Sequence, residues 1–288
     1  MFTTLIEPFQ FEYMRNAILV SGLVGTLCAL LSTFLILKGW SLIGDALSHA
    51  VVPGVAIAYS LNFPFMVGAV LTGGLAAIAM ALLKQITALK QDAIIGLVFS
   101  SFFAAGLFII SLNPTSVSLN SVIFGNILAI ATSDVVQIAI VMAVALVIMT
   151  LKWRDLMLVF FDEHQASAVG LNVRHYQWLF YVLLSASILA ALQTVGAILV
   201  VAMVITPGAT AYLLSDKFSH VLILSTLLGM VTCSLGAYIS YFNDATTGAF
   251  IVLLQTSLFL LAFLFAPKHG LIRFQSLGTK ARLQERRV

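Results

Sequence analysis

The sequence predicts an all-α membrane protein, a polytopic transmembrane helix bundle with about eight or nine spans. Three features carry this prediction. The mean hydropathy is +1.10, and only 9% of the 288 residues are charged, too few to cover the surface of a soluble domain. The apolar residues also fall into blocks of roughly 20, the length that an α-helix needs to cross a bilayer.

Nine apolar blocks predict nine crossings. The second block is short and contains Pro53, and the sixth and seventh are separated only at Gln193 and Thr194. Eight crossings with a re-entrant segment are therefore an alternative. The first block ends at Lys38 without a small-residue cleavage site, which indicates a retained span and not a removed signal peptide. The blocks cover residues 17–38, 47–61, 64–83, 93–111, 134–151, 177–193, 195–212, 219–241 and 247–266.

The lysine and arginine residues predict the orientation, because cytoplasmic loops collect these residues. With an odd number of crossings, only Arg15 among the 14 lies on the outer side. The N-terminus then points outward and the C-terminus inward, and the loops at 112–133 and 242–246 face outward. The inward-facing residues are Lys38, Lys84, Lys90, Lys152, Arg154, Arg174, Lys217 and those of the tail from Lys268 to Arg287.

A single transmembrane domain is expected over residues 1–270. Its longest cytoplasmic interruption is 152–176, and about 160–175 is the part that could contact a partner. Residues 271–288 form a basic cytoplasmic tail, which favours contact with anionic membrane lipid. Cys28 and Cys233 both lie inside apolar blocks and make no disulfide framework. The sequence contains no nucleic-acid-binding motif, so no nucleic-acid partner is expected.

Asp45 and His49 lie in the stretch GDALSHAVVPG, at the mouth of an apolar helix. Residues four apart share one face of a helix, so the pair offers one oxygen and one nitrogen ligand to a divalent transition metal. Ionisable groups near a bilayer interior are costly and usually mark a substrate or ion path. The spacing equally allows a structural role, in which Asp45 caps the helix and His49 is hydrogen-bonded within the protein.

Pro53 and Pro207 interrupt apolar blocks and are expected to break their helices there. Broken helices at membrane depth are tolerated where the backbone faces protein or water. These positions therefore fit either an ordinary kink in a packed bundle or a flexible gate beside a path. Ser48 and Thr206, close to them in the sequence, could add polar contacts along such a path.

The cytoplasmic stretch 152–176 contains a short predicted helix that begins near Asp162 and Glu163 and ends at Gly170. Acidic residues suit a helix N-terminus and glycine suits its end. Ala166, Ala168 and Gly170 are small, which would allow another protein to approach closely. A surface helix without a partner explains the pattern equally well.

Three stretches make the chain resemble the membrane subunit of bacterial ABC importers for manganese, zinc and iron. They are GWSLIGDALSHAVVPGVAIAY at 39–59, FFDEHQASAVGLNV at 160–173 and QTVGAILVVAMVITPGATAYLL at 193–214. The resemblance covers about residues 10–268. It implies a bacterial cytoplasmic (inner) membrane location and a fold similar to the vitamin-B12-type importer permeases.

The resemblance also implies roles and partners. Two permease subunits, identical or paralogous, would flank a path in which Asp45 and His49 contact the ion. A cytoplasmic ABC ATPase dimer would dock on a coupling segment at about 160–175. An extracytoplasmic metal-binding protein would deliver manganese, iron or zinc. No permanently bound cofactor is expected, since the metal is cargo. The residues implied in ATPase coupling are Asp162, Glu163, Ala166, Ala168, Gly170 and Leu171.

Two rival classes fit the sequence less well. A proton-coupled secondary metal transporter is expected to hold several carboxylates inside the membrane, whereas Asp45 is the one acidic residue away from span ends and loops. A membrane metalloenzyme would need a third strong ligand and a general base, and the sequence has no H-E-x-x-H motif. The chain also lacks G-x-x-x-x-G-K-[ST], so ATP hydrolysis would require a partner.

Overall fold

The computed structural model describes residues 2–61, 63, 65–112, 132–243, 245–266, 270 and 271. Within these ranges the regular structure is entirely α-helical, as predicted. The twelve helices are α1 Phe2–Gln10, α2 Glu12–Lys38, α3 Leu42–Ala50, α4 Val52–Ser60, α5 Phe65–Ile86, α6 Gln91–Leu112, α7 Thr132–Phe161, α8 Glu163–Ala168, α9 Val173–Val195, α10 Ala197–Leu214, α11 Phe218–Phe242 and α12 Thr247–Phe265. The predicted loop at 112–133 and the tail at 271–288 fall almost wholly outside the described residues.

Each of the nine predicted blocks coincides with helix. Seven segments in the described ranges are long and apolar enough to cross a membrane, and one of them combines α3 and α4 over Leu42–Ser60. The second block thus begins five residues earlier than its apolar run. The two remaining blocks correspond to α7 and to α10, whose apolar stretch Leu199–Leu214 is shorter.

Helix α2 forms the centre of the bundle and packs most extensively against α11 and α10. Its middle is completely buried around Leu27, Leu31 and Phe34. Glycine allows the α2 and α11 backbones to approach, because a Cβ on Gly25 would lie 2.6 Å from the Gly229 carbonyl oxygen. Small residues at such crossings are typical of helices packed in membranes.

Aromatic contacts identify the two ends of the bundle. At one end Phe11, just before α2, contacts Tyr241 near the end of α11. At the other end Phe34 of α2 packs against Phe218, the first residue of α11. Helix α12 then returns beside α11, so the start of α2 and the end of α12 lie at opposite ends. This agrees with the odd number of crossings that the charge pattern predicts.

Candidate functional site

Helix α3 begins after a glycine-dependent turn at the end of α2. Gly39 adopts φ 71°, and the Trp40 amide donates to the Leu35 carbonyl at 2.8 Å. Glycine reaches this left-handed conformation without steric cost and commonly ends helices. Helix α3 starts at Leu42, so Asp45 lies inside the helix and not at its N-cap. The capping interpretation of Asp45 is therefore wrong.

Asp45 and His49 lie together on the face of α3 that the bundle leaves partly open. The His49 Nε2 atom is 3.4 Å from Asp45 Oδ1. The His49 side chain is 24% exposed and the Asp45 side chain 42% exposed. Ile43 and Leu47 on the opposite face of α3 are completely buried. The burial of that apolar face fixes the rotation of α3 and points the carboxylate and imidazole outward.

Two aromatic rings of α6 hold the His49 imidazole. Phe99 and Phe103 each meet it edge-on, with ring centroids 5.5 Å apart, and stack on each other. These phenylalanines lie about 12 and 18 Å along α6 from Gln91, at 1.5 Å per residue. Since α6 is long enough to span the bilayer, His49 is near mid-membrane depth.

The spacing of the pair suits a shared metal ion. Ligand atoms about 2.0–2.2 Å from a tetrahedral ion are separated by roughly 3.4 Å, which is the Asp45–His49 distance. Among the described residues, no group of three or more His, Cys, Asp or Glu side chains is placed to hold a metal. The pair can therefore supply only half of a four-ligand set.

The predicted path residues on the first broken helix are buried. The Ser48 hydroxyl donates to the Gly44 carbonyl at 2.8 Å within α3, so its proton is already used. The chain between α3 and α4 breaks at Val51, and Pro53 occupies the first turn of α4, where proline costs no hydrogen bond. Pro53 packs against Gly106 of α6, which favours a packed kink at this position.

The expectation that Pro207 breaks its helix is wrong, because α10 runs continuously from Ala197 to Leu214. The completely buried Ser32 hydroxyl of α2 lies against α10 at the proline. It donates to the Ile205 carbonyl and accepts from the Gly208 amide, both at 3.0 Å. Ser32 thus supplies hydrogen bonds where proline disturbs the helical pattern. We call this pair of Ser32 hydrogen bonds to α10 the clamp at Pro207. Thr206 is half-buried next to it.

The cytoplasmic stretch forms the short helix that the sequence predicts. Asp162 caps α8, and its Oδ1 accepts from the His164 and Gln165 amides at 2.9 and 3.0 Å. Gly170 has φ +88° and ends the turn. The Leu171 amide closes it by donating to the Ala166 carbonyl at 3.0 Å.

The small residues of this segment do not all face outward. Ala166 is completely buried, so the expectation that it forms part of a docking surface is wrong. Ala168 and Gly170 are exposed, as expected. Two apolar side chains near the ends of the segment, Phe161 and Val169, are 75% and 68% exposed. The exposed residues of α8 itself are His164, Gln165, Ser167 and Ala168, so its outer surface is largely polar and Ala166 is not part of it.

Glu163 faces two lysines from other helices. Its Oε1 is 2.8 Å from Lys38 Nζ and 4.0 Å from Lys84 Nζ. Burial opposes ionisation of Glu163, but the hydrogen bond and charge of Lys38, together with Lys84, outweigh it and lower the pKa of the carboxyl. The ion pairs also place the ends of α2 and α5 beside α8, as the predicted cytoplasmic grouping of these lysines requires.

Comparison with known proteins agrees with this arrangement. The family model described as ABC 3 transport family matches residues 10–266. The chain belongs to this family. It is 58% identical over 272 residues to the chelated iron transport system membrane protein YfeC of Yersinia pestis, covering 94% of this chain and 92% of YfeC. The manganese transport system membrane protein MntB of Synechocystis is 46% identical, with 93% and 88% covered.

A solved relative has the same architecture. The structure of PsaBC from Streptococcus pneumoniae in complex with Fab is 38% identical, with a TM-score of 0.82, and 97% of this chain and 100% of that chain are covered. The predicted family and fold class are thus confirmed, as is a multi-pass location in the bacterial inner membrane. As an ABC 3 permease, the chain is a transport subunit.

Sequence reasoning missed several residues around the permease site. Phe99 and Phe103 were indicated only by their i,i+4 spacing in an apolar helix, which is common in any core. Ser32 was one of many serines in membrane helices. The lysine contacts of Glu163 join distant helices and leave no local pattern.

Proposed function

We propose that this chain is the permease subunit of an ABC importer that moves a divalent transition metal, iron or manganese, into the cytoplasm. The observation that carries the proposal is the Asp45–His49 pair, set at metal-ligand spacing on a membrane-spanning segment, with His49 near mid-membrane depth. Oxygen and nitrogen ligands without a thiolate suit Mn²⁺ and Fe²⁺. Relatives named for iron and manganese systems support the same cargo. Zinc stays a sequence-based prediction.

A second permease subunit would complete the site. Asp45 and His49 provide two ligands, while divalent transition metals take four or more. The partly exposed face of α3 leaves room for the same pair from a second copy or a paralogue. Water would fill any remaining positions. Incomplete coordination suits transport, because the ion must also leave. The metal is cargo, and no resident cofactor is part of the proposal.

The energy source would be a cytoplasmic ABC ATPase dimer docked on α8. Phe161 and Val169 are strongly exposed at the two ends of the segment, and the small residues Ala168 and Gly170 next to Val169 are exposed as well. Exposed apolar residues on a cytoplasmic segment are typical of protein–protein contact. An extracytoplasmic metal-binding protein would deliver the ion to the opposite mouth. Asp162 and Leu171 would shape the docked segment without themselves forming its outer surface.

Metal uptake by cells that lack other importers of the ion tests this function. Loss of a residue that only supports a metal ligand typically costs roughly 10–100-fold in metal affinity or activity. Asp45→Ala and His49→Ala remove the proposed ligands themselves, so each should reduce uptake by at least that much. Membrane insertion and ATPase association should be unchanged. Asp92→Ala and His220→Ala remove the same chemical groups from exposed positions and serve as matched controls. Normal uptake by both site variants would refute the proposal.

A further inference from the structure

Lys38, the last residue of α2, binds the junction between α7 and α8 at two points. Its Nζ contacts Glu163 Oε1 at 2.8 Å and donates to the Phe160 carbonyl at 3.3 Å. Lys84, near the end of α5, approaches the same Glu163 oxygen at 4.0 Å. One carboxylate of α8 is therefore held by two other helices.

Trp40 lies directly beneath these charges. It is 4% exposed, stacks on Tyr181 at 5.6 Å and meets Phe160 edge-on at 5.4 Å. The Lys84 ammonium lies 4.6 Å from the centre of its ring. The Trp40 carbonyl accepts from the Ile43 amide at 3.2 Å, in the first turn of α3. Trp40 thus connects the environment of Glu163 to the helix that carries Asp45 and His49.

We infer that Lys38, Lys84, Glu163 and Trp40 form a mechanical joint, called here the Glu163 joint, which transmits a displacement of α8 to the metal-binding helix α3. This inference rests on the proposed function and assigns positioning residues to it. Helices move as rigid elements, so a shift of α8 either carries Lys38 and Trp40 with it or separates the ion pair. The first result moves the start of α3, and the second disconnects α3 from α8.

The surroundings of Glu163 allow two arrangements. The aromatic side of the joint is tightly packed by Trp40, Phe160 and Tyr181. On its other side is a cavity of about 190 Å³, lined by Ala81, Lys84, Gln85, Glu163, Gln177, Trp178 and Tyr181. This space would let the Glu163 carboxylate move away from Lys38 and stay near Lys84, which lines the same cavity. A contact with two alternative arrangements is the element that a conformational signal requires.

The joint is distinct from an ordinary surface ion pair. The Lys152–Asp155 pair, 3.5 Å apart, lies within α7 on the same side of the bundle, and its link to another helix is the Tyr176 hydroxyl of α9, which donates to Asp155 at 2.8 Å. Exposed pairs of this kind contribute little. Lys38 instead combines an ion pair with a carbonyl hydrogen bond between separate helices, and its side chain is 22% exposed. Lys152→Gln is therefore a matched control for Lys38→Gln.

The test uses the complete importer, with its ATPase and metal-binding protein, in proteoliposomes. Metal transported per ATP hydrolysed is the readout, with manganese as the probe. Lys38→Gln, Glu163→Gln and Trp40→Phe should each lower this ratio by roughly fivefold or more, the lower end of coupling between sites. Basal ATP hydrolysis and ATPase association should persist in Lys38→Gln and Trp40→Phe. Lys38→Arg should retain coupling, and Lys152→Gln should equal the wild type.

A double variant distinguishes a joint from independent defects. If Glu163 and Lys38 act as one contact, Lys38→Gln with Glu163→Gln should be no worse than either change alone. Additive losses, wild-type ratios in all single variants, or loss of ATPase binding by Lys38→Gln would overturn the joint. A wild-type complex that hydrolyses ATP without moving metal would overturn the proposed function itself, which separates the two failures.

Discussion

Replacing Ser32 by alanine should weaken the bundle at the point where α2 supports the proline of α10. The Ser32 hydroxyl donates to the Ile205 carbonyl and accepts from the Gly208 amide, both at 3.0 Å. Ser32 is completely buried, and serine can make both bonds because its hydroxyl is donor and acceptor at once. Alanine preserves the fit at this close crossing but can make neither bond.

The magnitude follows from the buried amide that loses its partner. Leaving a buried donor unsatisfied costs about 1–3 kcal/mol, more than the net value of an average hydrogen bond. For a chain of this size, each kcal/mol lowers the unfolding midpoint by about 2–4 °C. Gly44 of α3 packs close to Val204 of α10, since a Cβ added to this glycine would lie 3.5 Å from Val204 Cγ1. A loosened α10 would therefore also disturb the support of Asp45, and metal uptake should fall with stability.

Thermal unfolding of the detergent-solubilised permease measures this effect. Thr33→Ala is the matched control, since Thr33 is equally buried but donates only within its own helix, to Ala29 at 3.3 Å. Its loss leaves no amide of α10 without a partner, so the midpoint should change much less. Equal shifts for Ser32→Ala and Thr33→Ala would refute the role assigned to Ser32.

Three further outcomes are expected. Ala168→Arg places a long charged side chain on the exposed side of α8, so it should reduce ATPase association at unchanged permease stability, measured by co-purification and thermal unfolding. Thr3→Cys should be labelled by an impermeant thiol reagent added outside, whereas Thr279→Cys should be protected, because the lysine and arginine pattern places them on opposite sides. Gly54→Ala should cost about 1–3 kcal/mol by overpacking against α5, since a Cβ there would overlap the Gly68 backbone, while Gly74→Ala meets open space.

The contradicting results are equally specific. Full ATPase recovery with Ala168→Arg would remove α8 from the docking surface. Equal protection of both introduced cysteines would indicate an even number of crossings. The native thiols of Cys28 and Cys233 are buried and should give little background labelling. Equal stability losses from the two glycine variants would show that the α4–α5 crossing is not limited by backbone contact.

Local patterns explain what the sequence could predict. Apolar runs of about 20 residues specify spans, and i,i+4 spacing placed Asp45 and His49 together, because both properties depend on one helix alone. The clamp at Pro207 joins residues 176 positions apart, and the Lys38–Glu163 contact joins residues 125 apart. No local pattern encodes such pairs. The prediction of a broken helix failed at Pro207 for this reason, since the supporting serine comes from another helix.

The burial of Ala166 could not be predicted for the same reason, because it depends on contacts with residues distant in the sequence. A six-residue helix has too few turns for its apolar periodicity to identify the buried face. Its direction is fixed instead by the Asp162 cap and by Glu163, which faces Lys38. Small residues in a cytoplasmic segment therefore predict close approach by a neighbour, but they do not indicate whether that neighbour is another protein or the permease itself.

The proposed ligand set, which is only half complete, has a consequence for selectivity. A complete cage of protein ligands would bind its ion tightly and release it slowly, whereas a path must do the opposite. Asp45 and His49 together distinguish poorly between neighbouring first-row divalent ions, because the order of the affinities depends mainly on the metal. We infer that this permease discriminates weakly and that the metal-binding protein makes most of the selection. The test measures transport in the absence of the metal-binding protein. Competition between manganese and other divalent ions under that condition would support this division of roles. Strict exclusion of the competing ions would argue for further ligands supplied by the second subunit.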